Sequence, residues 1–256
     1  MVTQSNNCIH DDCVHCKDGS CNCLSDGTFF GDNCPLYRRF YLNKVEICDA
    51  MEALDRIKGV ADLLVTDPPY KTITGGDSDG KNSVRPKGML GGNRKLFDYQ
   101  TELKPSDWMS KVYAALKDNT QAYIFTNVLN LEEMLAAARS VGFKLHNVLV
   151  WEKNNCTPSQ YYMKNCEYIL FLRKGKAKYV NNIGASKTVH QFANVRGKRH
   201  PCEKPVDLLR FYIENSSIPG DIVLDPFAGC GSTMEAALSC GRDFVGFEIN
   251  PQWRAN

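Results

Sequence analysis

The stretch Ile222-Val223-Leu224-Asp225-Pro226-Phe227-Ala228-Gly229-Cys230-Gly231-Ser232-Thr233 decides the fold of this chain. Its first three residues are apolar, as in a buried strand, and the strand ends in the acid Asp225. A Gly-x-Gly turn then opens a predicted helix from Gly231 to Cys240. Glycines at such a turn let the backbone approach a ligand closely, and the first N–H groups of a helix attract an anionic group. The stretch therefore predicts a small-molecule site at the end of a strand.

A second acid ends the next predicted strand, Phe244 to Glu248. A carboxylate at this position is suitably placed to accept hydrogen bonds from ribose hydroxyls. The turn and the acid together predict a cofactor that contains a nucleoside, and they leave NAD, FAD and S-adenosylmethionine open. The chain continues for only eight residues beyond Glu248, and Trp253 is predicted to cap this edge in place of a longer helix.

Strands and helices alternate outward from this stretch, which predicts an α/β fold with a mostly parallel sheet and helices on both faces. The predicted strands are 45–47, 61–66, 121–125, 147–152, 167–172, 221–224 and 244–248. The predicted helices are 51–57, 108–116, 129–141, 205–215 and 231–240. Residues 71–97 are rich in glycine and charge and show no periodicity, so they are predicted to form a long mobile loop.

The motif Asp67-Pro68-Pro69-Tyr70 directly follows the predicted buried strand 61–66. An exocyclic amine on adenine or cytosine is a poor nucleophile because its lone pair is delocalised into the ring. A carboxylate and a neighbouring backbone carbonyl can each accept one amine hydrogen and draw the nitrogen toward a tetrahedral geometry. The prolines have fixed φ angles and hold those carbonyls rigidly, and Tyr70 can stack on a base swung out of a helix. The motif favours methyl transfer from S-adenosylmethionine over a proline turn that merely ends a strand.

The two motifs together resemble those of DNA amino-methyltransferases of the permuted β group, in which the catalytic motif precedes the cofactor motif. Asp67-Pro68-Pro69-Tyr70 matches the first motif, and the segment from Asp225 to Ser232 matches the second. The resemblance covers the chain from about residue 40 to its C-terminus, and the paired motifs are highly specific.

Three further segments carry the same resemblance. The segment from Ile47 to Leu54 is similar to the one whose acid, here Asp49, contacts the adenine of the cofactor. His200-Pro201-Cys202-Glu203-Lys204-Pro205 resembles the segment that leads into the cofactor site. The segment from Leu149 to Asn155 resembles a core strand after which the recognition elements begin.

The resemblance implies a Rossmann-like fold with a seven-stranded sheet, S-adenosylmethionine as the methyl donor and flipping of the target base. In this comparison Asp67 and the Pro68 carbonyl hold the target amine, Pro69 completes the rigid loop and Tyr70 stacks on the base. The implied cofactor-binding residues are Asp49, Lys204, Asp225, Phe227, Gly229, Gly231, Ser232 and Glu248. An Asp at the first catalytic position is commoner among adenine-specific members, which favours adenine and leaves cytosine open.

The segment 173–199 is short and basic, and its charges would attract a phosphate backbone through counterion release. The candidate contacts are Lys174, Lys176, Lys178, Lys187, Arg196, Lys198 and Arg199. A solvated loop is the alternative interpretation of such a charge run. Because recognition elements are expected here, so short a segment predicts a short or relaxed recognition sequence in double-stranded DNA, with loop 71–97 contributing. The family resemblance also suggests a homodimer.

The N-terminal residues 1–36 hold half of the twelve cysteines and few large apolar side chains. They cannot form an apolar core alone, so a metal ion or disulfides must replace one. The spacing of Cys13, Cys16, Cys21 and Cys23 predicts thiolate ligands for tetrahedral zinc. Disulfides are the alternative, since Cys21-x-Cys23 with Gly27, Gly31 and Cys34 resembles an EGF-like turn. Zinc is favoured because a cytosolic DNA enzyme keeps its thiols reduced, and the methyltransferase domain is predicted to span 37–256.

Several classes of function are disfavoured by the sequence. No apolar run approaches the length of a membrane span, and the first residues lack the pattern of a secretory signal, so the chain is predicted to be soluble and cytoplasmic. Glutamine methyltransferases have Asn in place of Asp67 and carry the cofactor motif first, which argues against a protein acceptor. A binding protein with a decayed site is disfavoured because the catalytic residues are present. RNA stays open as a substrate because base flipping suits either polymer.

Overall fold

A computed structural model of the chain describes residues 42–69, 103–157, 161–176, 178–200 and 202–253, together with the backbone of 16–17 and 20–21. The strands are β1 (Cys16–Lys17), β2 (Ser20–Cys21), β3 (Lys44–Ile47), β4 (Ala61–Thr66), β5 (Leu116–Thr126), β6 (Lys144–Thr157), β7 (Lys164–Arg173), β8 (Val189–Gln191), β9 (Ile222–Asp225) and β10 (Asp243–Glu248). The helices are α1 (Ala50–Asp55), α2 (Pro105–Ala115), α3 (Leu131–Ser140), α4 (Val206–Ser216), α5 (Ser232–Ser239) and a 3-10 turn (Pro251–Trp253). The predicted loop 71–97 lies outside the described residues.

One eight-stranded sheet organises the described residues, in the order β3-β10-β9-β4-β5-β7-β6-β8. Neighbouring strands are parallel except at β7, which runs antiparallel to both β5 and β6. The predicted α/β fold with a mostly parallel sheet is confirmed. The predicted count of seven strands is wrong, because Val189–Gln191, from within the basic segment, pairs with β6 as an eighth strand.

Successive apolar residues in the central strands pack on opposite faces of the sheet. Leu64 of β4 belongs to the core beneath α1, α2 and α3, which also contains Trp108. Leu63 and Val65 belong to the core beneath α4 and α5, which also contains Tyr212. Side chains of a strand alternate between its two faces, so a strand covered by helices on both faces is apolar at nearly every position. This is why the run 61–66 is continuous rather than alternating.

The carboxyl ends of β4 and β9 lie side by side at the centre of the sheet, with Leu63 opposite Val223. After β9 the chain continues into β10, the neighbouring strand on one side of this central pair. After β4 it continues into β5, the neighbouring strand on the other side. In open α/β sheets, ligands bind in the crevice where the strand order reverses in this way. The loops that follow Thr66 and Asp225 therefore flank the expected binding crevice.

Gly246 lies inside β10, where a side chain has no room. A Cβ atom there would collide with the ring of the buried Phe244 and would lie 3.0 Å from the carbonyl oxygen of Asp225. We expect Gly246→Ala to lower the free energy of unfolding by about 1–3 kcal/mol, as overpacked cores do. Denaturant unfolding measures this, with Gly184→Ala as the matched control because a Cβ atom at residue 184 meets nothing within 4 Å. Equal stability of the two variants would contradict the packing described.

Candidate active site

A cavity of about 230 Å³ opens at the carboxyl edge of the sheet. Asp67, Pro68 and Pro69 of the predicted catalytic loop line it. The predicted cofactor residues that line it are Asp49, Lys204, Asp225, Phe227, Gly229, Ser232 and Glu248. Gly231 sits at the start of α5, next to these residues, and Tyr70 lies outside the described residues. The structure therefore brings the two sequence motifs together around one cavity.

The order of the strands sets the order of the polar groups along the cavity. Asp49 follows β3, Glu248 ends β10, the turn at Gly229 follows β9, and Asp67 follows β4. Neighbouring strands are about 4.8 Å apart, so three strand spacings, roughly 14 Å, separate the loop of Asp49 from that of Asp67. The cavity thus has two acids at one end, the start of α5 in its middle and Asp67 at the other end.

The ammonium of Lys204 forms an ion pair with Asp67. The Lys204 side chain is buried, and its Nζ also lies 3.4 Å from a carboxylate oxygen of Glu167 on β7. The same ammonium lies 5.2 Å from the centre of the Phe125 ring. Lys153 of β6 pairs with the other oxygen of Glu167. Lys204 was predicted from the sequence to bind the cofactor, and the structure adds that it contacts the catalytic loop.

Glu167 is ionised inside this cluster. Burial alone would raise the pKa of its carboxyl, but the nearby ammonium groups of Lys204 and Lys153 together lower that pKa below its ordinary value. The Lys204 ammonium is therefore shared between the carboxylates of Glu167 and Asp67. A shared cation attracts each carboxylate while leaving lone pairs for other donors, so Asp67 can still accept hydrogen bonds from a substrate.

The glycine turn before α5 is held by Glu248. Gly229 and Gly231 both have left-handed backbones, with φ of 52° and 84°, which glycine adopts without steric cost. One Glu248 oxygen accepts a hydrogen bond from the Gly229 N–H at 2.9 Å, and the other accepts one from the Asn250 N–H at 2.8 Å. Burial raises the pKa of Glu248 above its ordinary value. Glu248 therefore fixes the turn besides lining the cavity.

Asp225 lines the cavity, but its carboxylate accepts hydrogen bonds from groups of the protein itself. One oxygen accepts hydrogen bonds from the Thr66 hydroxyl at 2.7 Å and the Phe227 N–H at 3.1 Å. The other accepts one from the Thr233 hydroxyl at 2.6 Å. Only 3% of Asp225 is exposed. Asp225 therefore has an anchoring role, in which it ties the end of β4 to the start of α5, and its assignment to the cofactor stays a prediction.

Asp225 makes stability depend on pH. Burial, only partly offset by its three hydrogen bonds, raises its pKa from 3.8 to about 6. The folded state then binds a proton more tightly than the unfolded state, so this residue's contribution is fully present below pH 4 and is lost as the pH rises toward 6. We expect Asp225→Asn, which cannot titrate, to gain up to about 3 kcal/mol of stability relative to wild type across this interval. Urea unfolding at a series of pH values measures the difference, and a constant difference from pH 4 to 7 would contradict it.

Phe227 and Asp49 have defined neighbours in the cavity wall. The Phe227 ring packs edge-on against the buried Trp108, with ring centres 5.5 Å apart. Asp49 caps α1, and its carboxylate accepts a hydrogen bond from the Met51 N–H at 2.8 Å. Asp49 is exposed and lines the cavity, so its carboxylate can also accept a hydrogen bond from a ligand.

His200 and Trp253 also line the cavity, although neither was assigned to the cofactor from the sequence. Their rings meet edge to face, with centres 4.5 Å apart. Burial, followed by the charge of Lys204, lowers the pKa of His200 to about 4, so this ring is neutral at physiological pH. The position of Trp253 agrees with its predicted capping role. His200 could have been predicted to line the cavity, because it begins the sequence segment that contains Lys204.

The first half of the basic segment lies on the opposite edge of the sheet. Arg173, the last residue of β7, pairs with Gln121, five residues before the carboxyl end of β5. The chain then continues away from the cavity, where the Lys176 N–H donates a hydrogen bond to the Asn119 side chain. The Lys174 ammonium donates hydrogen bonds to the carbonyl oxygens of Tyr113 at 2.9 Å and Leu116 at 2.6 Å, at the end of α2. The candidate contacts Lys174, Lys176 and Lys178 are therefore corrected, because they do not lie on the cavity side.

The second half of the segment approaches the cavity. The carboxyl end of β8 points toward the same edge as that of β4, and Lys187 is exposed just before the amino end of β8. Arg196, Lys198 and Arg199 follow this strand and are exposed. The guanidinium of Arg199 pairs with Glu203 at 2.7 Å. These four residues remain candidate phosphate contacts.

Most of the N-terminal cysteines lie outside the residues that the structure describes. Cys16 and Cys21 are backbone partners in the two-stranded ribbon β1-β2, and Cys13 and Cys23 lie outside the described residues. Within the part of the chain that the structure describes, no group of three or more His, Cys, Asp or Glu side chains could hold a metal ion. The zinc prediction thus has no support from the structure. Among those same residues, no helix has the length and apolar character that crossing a membrane requires.

Comparison with known proteins agrees with this arrangement. The N6/N4 family model, described as DNA methylase, matches residues 61–254. The type II methyltransferase M2.DpnII of Streptococcus pneumoniae is 27% identical over 226 residues, which cover 80% of this chain and 84% of that protein. The type II methyltransferase M2.LlaDCHI of Lactococcus lactis subsp. cremoris is 26% identical over 230 residues, with the same coverage. The crystal structure of the M1.HpyAVI–SAM complex matches with a TM-score of 0.62 at 23% identity, covering 82% of this chain and 95% of that one.

Proposed function

The chain belongs to the N6/N4 DNA methylase family, and we propose that it transfers a methyl group from S-adenosylmethionine to the exocyclic amino group of adenine in double-stranded DNA. One observation carries this proposal: Asp67, the acceptor for an amine, lines the same cavity as the Gly229 turn and Glu248. An amine acceptor beside a nucleoside-type site is what methyl transfer to a base amine requires.

The residues along the cavity fit this cofactor. Asp49 and Glu248 offer carboxylates to the amine and hydroxyl groups of a nucleoside, at the end away from Asp67. Gly229 presents bare backbone in the middle, and the buried ammonium of Lys204 can attract a carboxylate near the catalytic loop. S-adenosylmethionine, when bound, supplies an electrophilic methyl group on a positively charged sulfur.

The catalytic loop prepares the amine for attack. The Asp67 carboxylate and the Pro68 carbonyl would each accept one amine hydrogen, which draws the nitrogen toward a tetrahedral geometry and frees its lone pair. The freed lone pair is the nucleophile that the electrophilic methyl group of the bound cofactor would require. The surplus proton of the amine leaves along its hydrogen bond to Asp67. Pro68 is buried, so its carbonyl is held by the packing of the ring.

Adenine is proposed over cytosine because Asp67 occupies the first position of the catalytic motif, where an acid is commoner among adenine-specific relatives. The exposed bases Lys187, Arg196, Lys198 and Arg199 would neutralise phosphates near the site. Because only Arg196, Lys198 and Arg199 of the segment's described candidate contacts follow β8 toward the cavity side, we propose a short or relaxed recognition sequence. Homodimerisation and the domain limits 1–36 and 37–256 remain predictions from the sequence.

Methylation-aware sequencing of DNA from cells that express the chain tests base, site and activity together. We expect methylated adenine at a short or degenerate sequence, and none in matched cells that express Asp67→Ala. Methylated cytosine amines would establish the alternative base. A single site of about six or more base pairs, which demands extensive base-edge contacts, would contradict the short recognition sequence.

The polymer is tested separately with purified protein. Transfer of labelled methyl groups is measured on duplex DNA and on structured RNA side by side, each at matched nucleotide concentration. We expect transfer to DNA, and preferential transfer to RNA would overturn the choice of substrate.

A further inference from the structure

The strands β6 and β7 continue past the sheet as a two-stranded arm, defined here by its described residues, 153–157 and 161–167. β7 pairs with β5 only from Tyr168 onward, opposite Thr126 at the carboxyl end of β5. It still pairs with β6 back to Lys164, which lies opposite Thr157. At about 3.3 Å per residue, the stretch from Tyr168 to Lys164 projects roughly 13 Å beyond the edge. The arm therefore leaves the sheet on the side of the cavity.

The base of the arm contacts the catalytic loop through one side chain. Glu167 on the arm contacts the ammonium of Lys204, and Lys204 pairs with Asp67. Lys153 on the opposite strand of the arm pairs with the same Glu167. Because these contacts fix the base of the arm at the cavity, its outer part lies beside any polymer that presents a base to Asp67.

The outer part of the arm carries exposed apolar side chains. Tyr161 is 88% exposed, Tyr162 is 93% exposed and Met163 is 61% exposed. Val128 and Leu129, which follow β5 at the same edge, are also more than half exposed. Scattered exposed apolar residues need no explanation, but a group of them at one edge marks an interaction surface.

The composition of the arm favours nucleic acid as the partner. The arm contains the bases Lys153 and Lys164 and one acid, Glu167, which pairs with Lys153 and Lys204 at the base of the arm. The outer part therefore carries the positive charge of Lys164 and no acid, and it attracts phosphates. The exposed side chains of Asn154 and Asn155 accept hydrogen bonds from Asn194 through their carbonyl oxygens, and their NH2 groups are donors of the kind that contact base edges and backbone oxygens. Tyrosine rings stack on unpaired bases, and the major groove of DNA admits a two-stranded ribbon.

We propose that this arm is a DNA-contacting element that enters the groove beside the target base, where Tyr161 and Tyr162 pack against the nucleotides that flank the vacated position. The proposal rests on the proposed function and deepens it. The segment 173–199 was the predicted recognition element, but its first half lies on the far edge of the sheet. The proposal assigns part of DNA recognition to the arm, which adjoins the catalytic loop. The arm then supplies part of the sequence readout that the short basic segment lacks.

The test compares the full-length wild type with the double variant Tyr161→Ala/Tyr162→Ala. The probe is a short duplex that carries the site mapped by methylation sequencing. We expect the Kd and the KM for this duplex to rise at least about tenfold, the effect of losing aromatic contacts to bases. The affinity for S-adenosylmethionine, measured by calorimetry, and the melting temperature should stay at wild-type values, because both side chains are exposed. Tyr161→Phe/Tyr162→Phe keeps the rings and should restore most of the DNA affinity.

Tyr179 supplies the matched control. It is 90% exposed but follows Lys178 on the opposite edge, so Tyr179→Ala should leave the DNA affinity unchanged. Wild-type DNA affinity in the arm variant, or an equal loss in Tyr179→Ala, would overturn the proposal. So would sedimentation that shows a dimer in wild type and a monomer in the arm variant, because the patch would then bind a second copy of this chain. If the wild type transfers no methyl group to DNA, the proposed function itself is refuted. If the wild type is active and the arm variant binds DNA equally well, only the proposed role of the arm is refuted.

Discussion

Asp67→Ala should lower the rate of methyl transfer at saturating substrates by about 10²–10³-fold, the usual effect of removing one group that stabilises a transition state. In the proposed mechanism this carboxylate is the acceptor that polarises the target amine, and the nearby cavity acids Asp225 and Glu203 are already hydrogen-bonded within the fold. The affinity for S-adenosylmethionine should change little, because Asp49, Gly229 and Glu248 are untouched. The fold should also persist, since Lys204 keeps Glu167 as a counter-ion.

The measurement is single-turnover methyl transfer on the mapped duplex, paired with calorimetric titration of the cofactor. Asp67→Asn serves as the control, because its amide keeps one acceptor oxygen and the size of the side chain while losing the charge. We expect its rate to fall between those of wild type and Asp67→Ala. Turnover by Asp67→Ala at the wild-type rate would refute the role assigned to this residue.

Gly229→Val should weaken binding of S-adenosylmethionine at least about tenfold, equivalent to about 1.4 kcal/mol. The residue has φ of 52°, a conformation in which a β-branched side chain is strongly disfavoured. A Cβ atom there would lie 3.9 Å from the His200 ring, so the first carbon fits, but the two further methyl groups of valine would occupy the cavity. Strain in the turn and loss of space act in the same direction.

Gly229→Ala separates these two causes. Alanine shares the unfavourable φ but adds only the carbon that fits, so it should lower the melting temperature while keeping cofactor affinity within a few-fold of wild type. Calorimetry and thermal unfolding on both variants give the comparison. Wild-type affinity in Gly229→Val would show that no ligand approaches this backbone.

The sequence predicted those parts of the fold that depend on local patterns. The run 61–66 and the stretch 222–225 are apolar at nearly every position because helices cover both faces, and both were recognised as strands. The three-residue strand Val189–Gln191 was missed, because it is too short for a periodic pattern and exists only through its pairing with β6. The extension of β6 and β7 past the sheet was likewise hidden, since pairing partners fix a strand's length more than its own residues do.

Site residues that belong to a contiguous sequence motif could be predicted. Ion pairs between residues that are distant in the sequence could not. Asp67, Gly229 and Glu248 stand in recognisable motifs and line one cavity. Nothing in the sequence indicates that Glu167 shares the ammonium of Lys204 with Asp67, because the three residues lie on separate elements. Asp225 stands in a cofactor motif, yet its burial and its contacts with Thr66 and Thr233 give it an anchoring role that only the tertiary structure reveals.

The bond between Thr66 and Asp225 spans 159 positions of sequence, and that separation has a consequence for how the protein is made. A chain grows from its N-terminus, so β4 leaves the ribosome long before β9, its neighbour at the centre of the sheet. Until residues 222–225 have been synthesised, β4 has one open edge and apolar side chains with no complete cover. Contacts of such high sequence separation form slowly because a long loop must close first. Nascent chains that lack residues 222–225 therefore leave apolar surface of β4 uncovered, a condition that favours aggregation of partly folded chains. The cavity is completed only late in synthesis.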